Sequence, residues 1–306
     1  SRSSTCAWVA STSSALRLSC RSPFAWRQQL GFFAGRATPG VEAVVDGCYR
    51  RTLSVDGRSR IIEIAAHADG DALDVRFLDG DDLPGPAVAK SVSTVFDVNA
   101  PVDRIHDALG KDPLLASLLE NHPGVRVPGA WDGFELTVRA ILGQQISVKA
   151  ATTIAGRIAR RYGDPVGQPG ARRGRSLNRL FPSPERLARG RFNKLGLVQS
   201  RIDTIRAVAK AVVSQELCFD GRQSAGDTRD VLLSIKGIGD WTAQYVAMRA
   251  LRDPDAFPAT DLGLLSALDP PNRVTPGTLS ARAEHWRPWR AYAAMLLWGS
   301  LPGSGG

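Results

Sequence analysis

Near Ala100-Pro101 the spacing of apolar residues changes from every second position to every third and fourth, so the chain contains two folding regimes. Before that point, residues 49–55, 61–65 and 72–78 alternate apolar and polar side chains, and Asp56-Gly57 and Asp69-Gly70-Asp71 separate them. Those segments predict the strands of a small antiparallel sheet with tight turns. A helix is predicted over residues 26–34. After that point, residues 114–119, 134–146, 202–213 and 228–235 carry helical spacing. The predicted fold class is an α+β front domain over residues 15–100 followed by an all-α body over residues 101–302. Residues 1–14 are rich in Ser and Thr and are expected to be a disordered lead-in. Residues 303–306 are expected to be a flexible tail, and the Gly, Pro and Arg of 163–176 a loop between helices. The first residue is Ser rather than Met, which fits a fragment or a trimmed chain.

Charge follows the same division. The 306 residues carry a net charge of +9. Residues 1–100 hold 11 Lys+Arg and 11 Asp+Glu, leaving 28 against 19 for the rest, so the whole excess lies in the helical body. That asymmetry fits a body that meets a polyanion or one that displays solvated arginine. The basic run Arg172, Arg173, Arg175, Arg179, Arg186, Arg189, Arg191 and Lys194 includes only Glu185 as an acid, and the same two readings apply. No apolar run reaches the ~18 residues of a membrane-spanning helix, and the N-terminus has no secretory pattern, so no membrane partner is expected. The four cysteines, Cys6, Cys20, Cys48 and Cys218, form no paired motif. They argue against zinc, iron–sulfur or disulfide frameworks and fit a reducing cytoplasm. His67, His106, His122 and His285 form no cluster.

One short motif in the body carries chemistry. Ile235-Lys236-Gly237-Ile238-Gly239 lies between two helical segments, the second starting at Asp240. Two glycines allow a sharp turn and a close backbone approach, and the free N–H groups of the second helix point into that turn. Ile238 is expected to anchor the hairpin between the helices. A plain helix–helix turn has the same Gly-x-Gly, so the flanking Trp241-Thr242-Ala243 supplies the specificity.

That segment resembles the helix–hairpin–helix of the base-excision glycosylase superfamily, followed as in that family by a Pro-containing loop ending in Thr260-Asp261. Within it the 3-methyladenine DNA glycosylase II (AlkA) type is the nearest match. Residues 139–147, 181–187 and 286–293 resemble further blocks of that type, and the likeness runs from about Leu16 to Trp298. The resemblance implies a monofunctional enzyme that flips alkylated bases of the 3-methyladenine and 7-methylguanine class out of double-stranded DNA and hydrolyses their N-glycosidic bond.

The resemblance also implies residue roles. Asp261 by itself reads as a helix cap; the family spacing makes it the catalytic carboxylate. It would stabilise the cationic sugar and activate water, and one acid suffices because an N-alkylated purine leaves already charged. Trp241, Tyr245 and Trp298 are implied as the base pocket, their alternative being core packing, which is all that Trp8, Trp26 and Trp131 are expected to do. Gly237, Ile238, Gly239, Thr242 and Gln144 are implied to contact DNA. Gln145 occupies the wedge position, where well-known members have an apolar residue. Trp241 stands where strand-cutting relatives carry Lys, so no Schiff-base chemistry is expected. The carbonyls of Leu233, Ile235 and Ile238 are implied ligands of a structural Na⁺ or K⁺; no organic cofactor is expected. Arg249 is expected to support the pocket or pair with Asp253 or Asp255. A cytoplasmic, nucleoid-associated monomer is expected, and a fusion to an alkylation-response methyltransferase regulator would fit the Ser/Thr-rich start. The competing readings are a non-catalytic hairpin module and a glycosylase for oxidised or mismatched bases.

Overall fold

The computed structural model describes residues 15–80, 82–166, 177–268 and 274–301. The expected lead-in (1–14), the tail (303–306) and most of the 163–176 loop lie outside them, with Cys6, Trp8, Arg172, Arg173 and Arg175.

The front holds strand β1 (Leu16–Ser19), helix α1 (Trp26–Arg36), strands β2 (Glu42–Val45), β3 (Cys48–Val55), β4 (Arg58–Ala66) and β5 (Ala72–Phe77), and helix α2 (Pro86–Val95). The strands form one antiparallel sheet in the order β1-β5-β4-β3-β2. Asp56 and Gly57 both take positive φ, +49° and +74°, which is what a two-residue hairpin matching the strand twist requires. The sheet and helix α1 were legible in the sequence; β1 and β2 were not, because four-residue edge strands have almost no local signal. Alternation also fails in β4, where Ile62, Glu63, Ile64 and Ala65 are all buried. Glu63 is tolerated there because Arg50 (2.5 Å) and Arg76 (2.8 Å) donate to its carboxylate. Leu30 and Phe33 of α1 and Val88, Val92 and Val95 of α2 close this core over Tyr49, Ile62, Ile64 and Leu73.

The body follows as α3 (Val102–Leu109), α4 (Pro113–Asn121), α5 (Gly133–Gly143), α6 (Val148–Tyr162), α7 (Pro184–Ala188), α8 (Gln199–Val213), α9 (Ala225–Ser234), α10 (Asp240–Arg249), α11 (Leu262–Ala267), α12 (Pro276–Ala283) and α13 (Arg290–Gly299). These helices bury two separate cores. One joins α5, α6, α8 and α9; the other joins α3, α4, α11, α12 and α13. Helix α10 spans both, with Ala243 and Val246 in the first and Ala247 and Met248 in the second. A cleft opens between the two cores, beside α10.

Front and body are joined by a buried ion network. Glu42 of β2 accepts from Tyr49 Oη (2.6 Å), Arg51 (2.9 Å) and Arg139 (2.8 Å), and Glu135 of α5 accepts from Arg139 (3.0 Å) and pairs with Arg51. Burial pushes the Glu42 carboxyl up, but the Arg139 and Arg51 guanidiniums and the Tyr49 hydroxyl outweigh it and hold the group at about 2. Two cations and two anions balance, so the network is neutral and pins α5 against the sheet.

Candidate active site between the two helical cores

The hairpin between α9 and α10 is built as its sequence suggests, with one distinction between its glycines. Gly237 has φ +94°, and a Cβ there would lie 2.1 Å from Thr204 Oγ1. Gly239 is the N-cap of α10 with an extended backbone (φ −102°, ψ 177°), and a Cβ there would meet nothing within 4 Å. The first glycine makes the turn. The second leaves open space before the free N–H groups of a helix start, where an anion is stabilised. Ile238 donates its N–H to Ile235 O (3.0 Å), and its side chain is buried in the first core, so it anchors the hairpin.

Two neighbours stiffen this turn. Thr204 of α8 donates to Lys236 O (2.9 Å). Gln144, C-cap of α5, donates through Nε2 to Gly237 O and to Thr242 Oγ1, both at 3.0 Å. Gln144 therefore binds the hairpin with its amide nitrogen instead of presenting it outward. Thr242 is buried beneath this contact. Gln145 is exposed, takes φ +60° in the turn between α5 and α6, and projects at the cleft.

The cleft has a volume of about 960 Å³, and Asp261, Trp241, Tyr245 and Trp298 line it. Asp261 is the helix cap that its local sequence suggests, and its carboxylate has further partners in the cleft. It caps α11, Oδ1 accepting from Leu264 N (3.0 Å), and it also accepts from Trp298 Nε1 (Oδ1, 2.9 Å) and Trp241 Nε1 (Oδ2, 2.8 Å). Those indoles come from α13 and α10, so the carboxylate is held from opposite walls. The Trp241 and Tyr245 rings stack at 5.2 Å and 9°, and Trp298 meets Tyr245 edge-on at 6.3 Å and 64°. Their proximity follows from the i,i+4 spacing on α10 and from the packing of α13. Trp26 and Trp131 lie in the front core, as expected.

Arg249 pairs with neither Asp253 nor Asp255. Its Nε and Nη2 donate to Pro128 O (2.7 Å) and Gly129 O (3.0 Å), and Nη1 donates to Tyr245 Oη (2.6 Å). Asp255 instead pairs with Arg287 and Arg290 (2.8 Å). In the basic run, Arg186 pairs with Asp164, an acid distant in sequence. Two cleft features escaped the sequence reading. Arg36, in the last turn of α1, brings the front domain to the cleft wall. Gly263 leaves room beside the carboxylate, because a Cβ would lie 2.9 Å from Asp261 Oδ1 and 3.2 Å from Leu301 Cδ1 and would press on the Asp261 side chain. Its signal was only a glycine two residues after the aspartate. Among the described residues no group of three His, Cys, Asp or Glu could hold a metal ion.

The comparisons with known proteins agree with this geometry. Residues 15–132 match the AlkA N-terminal domain and residues 138–289 match the HhH-GPD superfamily base excision DNA repair protein. The fold and the hairpin are thus those of the helix–hairpin–helix superfamily. A DNA-3-methyladenine glycosylase 2 from Escherichia coli (strain K12) is 30% identical over 284 residues, covering 92% of this chain and 95% of the relative. The chain belongs to that AlkA-type family of the HhH-GPD superfamily. A probable bifunctional transcriptional activator/DNA repair enzyme AlkA from Mycobacterium tuberculosis (strain CDC 1551 / Oshkosh) is 39% identical over 94% of this chain, which spans 57% of that relative's length. The solved 3-methyladenine DNA-glycosylase from Archaeoglobus fulgidus shares the fold, with a TM-score of 0.78 at 23% identity over 93% of this chain and 97% of that one.

Proposed function

We propose that the chain is a monofunctional DNA glycosylase that hydrolyses the N-glycosidic bond of alkylated bases, of the 3-methyladenine and 7-methylguanine class, in double-stranded DNA. The observation that carries this reading is the Asp261 carboxylate, fixed by two indole N–H groups at an aromatic cleft beside an anion-binding hairpin. The hairpin amides of Gly239, Asp240, Trp241 and Thr242 take a DNA phosphate at the start of α10. The flipped base enters against the stacked Trp241 and Tyr245 rings, whose negative faces favour a cationic purine. Gln145 enters the space the base leaves. Asp261 then faces C1′, stabilises the oxocarbenium charge as the bond breaks, and takes the proton of the attacking water. No lysine occupies the position of Trp241, so the strand is left intact. A monovalent cation at the carbonyls of Leu233, Ile235 and Ile238 would tighten the phosphate contact; those of Leu233 and Ile238 accept no backbone hydrogen bond among the described residues.

The test is release of free 3-methyladenine and 7-methylguanine from methylated duplex by wild type and Asp261→Asn. Equal release by both removes Asp261 from the chemistry, and no release by wild type favours a binding module. Borohydride trapping on substrate DNA would overturn the absence of lyase chemistry. The proposal extends to a monomer at the cytoplasmic nucleoid, and to fusion with a regulator, as the bifunctional mycobacterial relative suggests. Sedimentation, cell fractionation and the size of the native product check these. None of the described helices is long and apolar enough to cross a membrane.

A further inference from the structure

Part of the cleft wall is cationic, which a pocket for cationic bases alone does not require. Arg249 is buried and has no carboxylate partner among the described residues; its three hydrogen bonds go to two backbone carbonyls and Tyr245 Oη, and its guanidinium lies 4.8 Å over the Phe32 ring. Arg36 also lacks a carboxylate partner there: its guanidinium lies 4.0 Å over the Phe32 ring and donates to Phe32 O (3.4 Å). Arg139 differs, being balanced by Glu42 and Glu135. All three arginines line the same cleft as Tyr245 and Asp261.

The contact between Arg249 and Tyr245 fixes the direction of a proton. A guanidinium can only donate, so Tyr245 Oη is the acceptor at 2.6 Å. The phenolic hydrogen must then point elsewhere, and no protein acceptor for it exists among the described residues. Tyr245 therefore offers the cleft an uncommitted O–H donor, and Arg36 adds guanidinium donors on the same wall.

We propose that Tyr245, positioned by Arg249, and Arg36 form a donor end that stabilises the departing base when the lesion is an uncharged 6-oxopurine. This inference rests on the reading of the cleft as the base pocket. An uncharged purine, unlike an alkylated one, leaves with the electron pair of the N-glycosidic bond and becomes an anion whose charge spreads onto O6 and N7. Donors aimed at those atoms, with two unbalanced guanidiniums behind them, stabilise that charge as it develops. The water oxygen bonds to C1′, and the proton it gives up through Asp261 balances the proton the base anion takes up. A cationic base leaves neutral and gains nothing from this wall. The polarity of the phenol points the same way: burial raises the Tyr245 hydroxyl pKa, but the Arg249, Arg36 and Arg139 charges outweigh it and lower the group below its usual value.

The experiment compares single-turnover excision of hypoxanthine and of 7-methylguanine from otherwise identical duplexes by wild type, Tyr245→Phe and Arg36→Met. We expect both variants to lower the hypoxanthine rate about tenfold more than the 7-methylguanine rate, the scale of one lost donor to a developing charge. Arg36→Met alters a partly exposed side chain, so it keeps the test valid if Tyr245→Phe folds poorly. Equal loss on both bases, or wild type that releases 7-methylguanine but no hypoxanthine, overturns the proposal. Wild type that releases neither base overturns the excision reading itself, and this one with it.

Discussion

Replacing Gly237 by alanine tests the hairpin in a way that separates backbone strain from a side-chain clash. The residue holds φ +94°, which costs a non-glycine about 1–3 kcal/mol. The added Cβ would also lie 2.1 Å from Thr204 Oγ1 and 3.2 Å from both Thr204 carbons, so Thr204 must give way. Its one hydroxyl hydrogen, shared between Lys236 O (2.9 Å) and Ser200 O (3.0 Å), then loses that bond, worth about 0.5–1.5 kcal/mol. The expected total is about 3 kcal/mol. Urea unfolding and anisotropy on duplex DNA read it in two parts, as global destabilisation and as weakened phosphate binding. The sharper assay is the double variant Gly237→Ala/Thr204→Ala. Removing the threonine side chain relieves the clash but not the φ strain, so the double variant should be more stable than additivity predicts by more than about 1 kcal/mol. Additivity within about 0.3 kcal/mol would refute the close approach of α8 to the hairpin as the reason for a glycine here.

Other expectations follow from neighbouring contacts. Trp298→Phe keeps an aromatic ring but removes one of the two indole donors to Asp261, and single-turnover release of 7-methylguanine should slow about tenfold; an unchanged rate would remove that bond from the site's function. Gln144→Ala frees Gly237 O and Thr242 Oγ1, so duplex affinity should fall several-fold with less than about 2 kcal/mol lost in urea; a large stability loss at unchanged affinity would contradict a hairpin role. Acid should unfold the protein through Glu42 and Asp112. Burial opposes but the Arg139 and Arg51 charges lower the first, and the Arg282 hydrogen bond lowers the second, each to about 2. Both folded values lie below the unfolded ones, so this stability is full above about pH 5 and is lost as pH falls toward 2. Asp112→Asn should flatten the urea midpoint against pH across that window; a slope parallel to wild type would sink the assignment.

The sequence by itself determined the division into a sheet-bearing front and a helical body, because periods of two and of 3.6 are local properties of side-chain order. It also exposed the hairpin, since Gly237 and Ile238 need only their immediate neighbours to make a turn and anchor it. The pairing of Trp241 with Tyr245 was equally local, one turn apart on one helix. What Asp261 does was not local: capping is visible within three residues, but the two indoles that hold the carboxylate come from 20 residues before it and 37 after. The hold of Gln144 on the hairpin was also not local: the packing of α5 on α10 turns its amide nitrogen onto Gly237 O. Arg249 had nearby acids in sequence, yet the fold buries it against Tyr245 and the carbonyls of 128 and 129. Arg36 reaches the cleft because the front domain packs against the body, in part through the neutral four-charge network on α5 and the bond from Arg139 to Arg36 O. Periodicity and turn chemistry act over a few residues, whereas charge placement in a cleft depends on which distant elements share a core. That is why the fold could be read from the chain, and why the polarity of its pocket was decided by the tertiary structure alone.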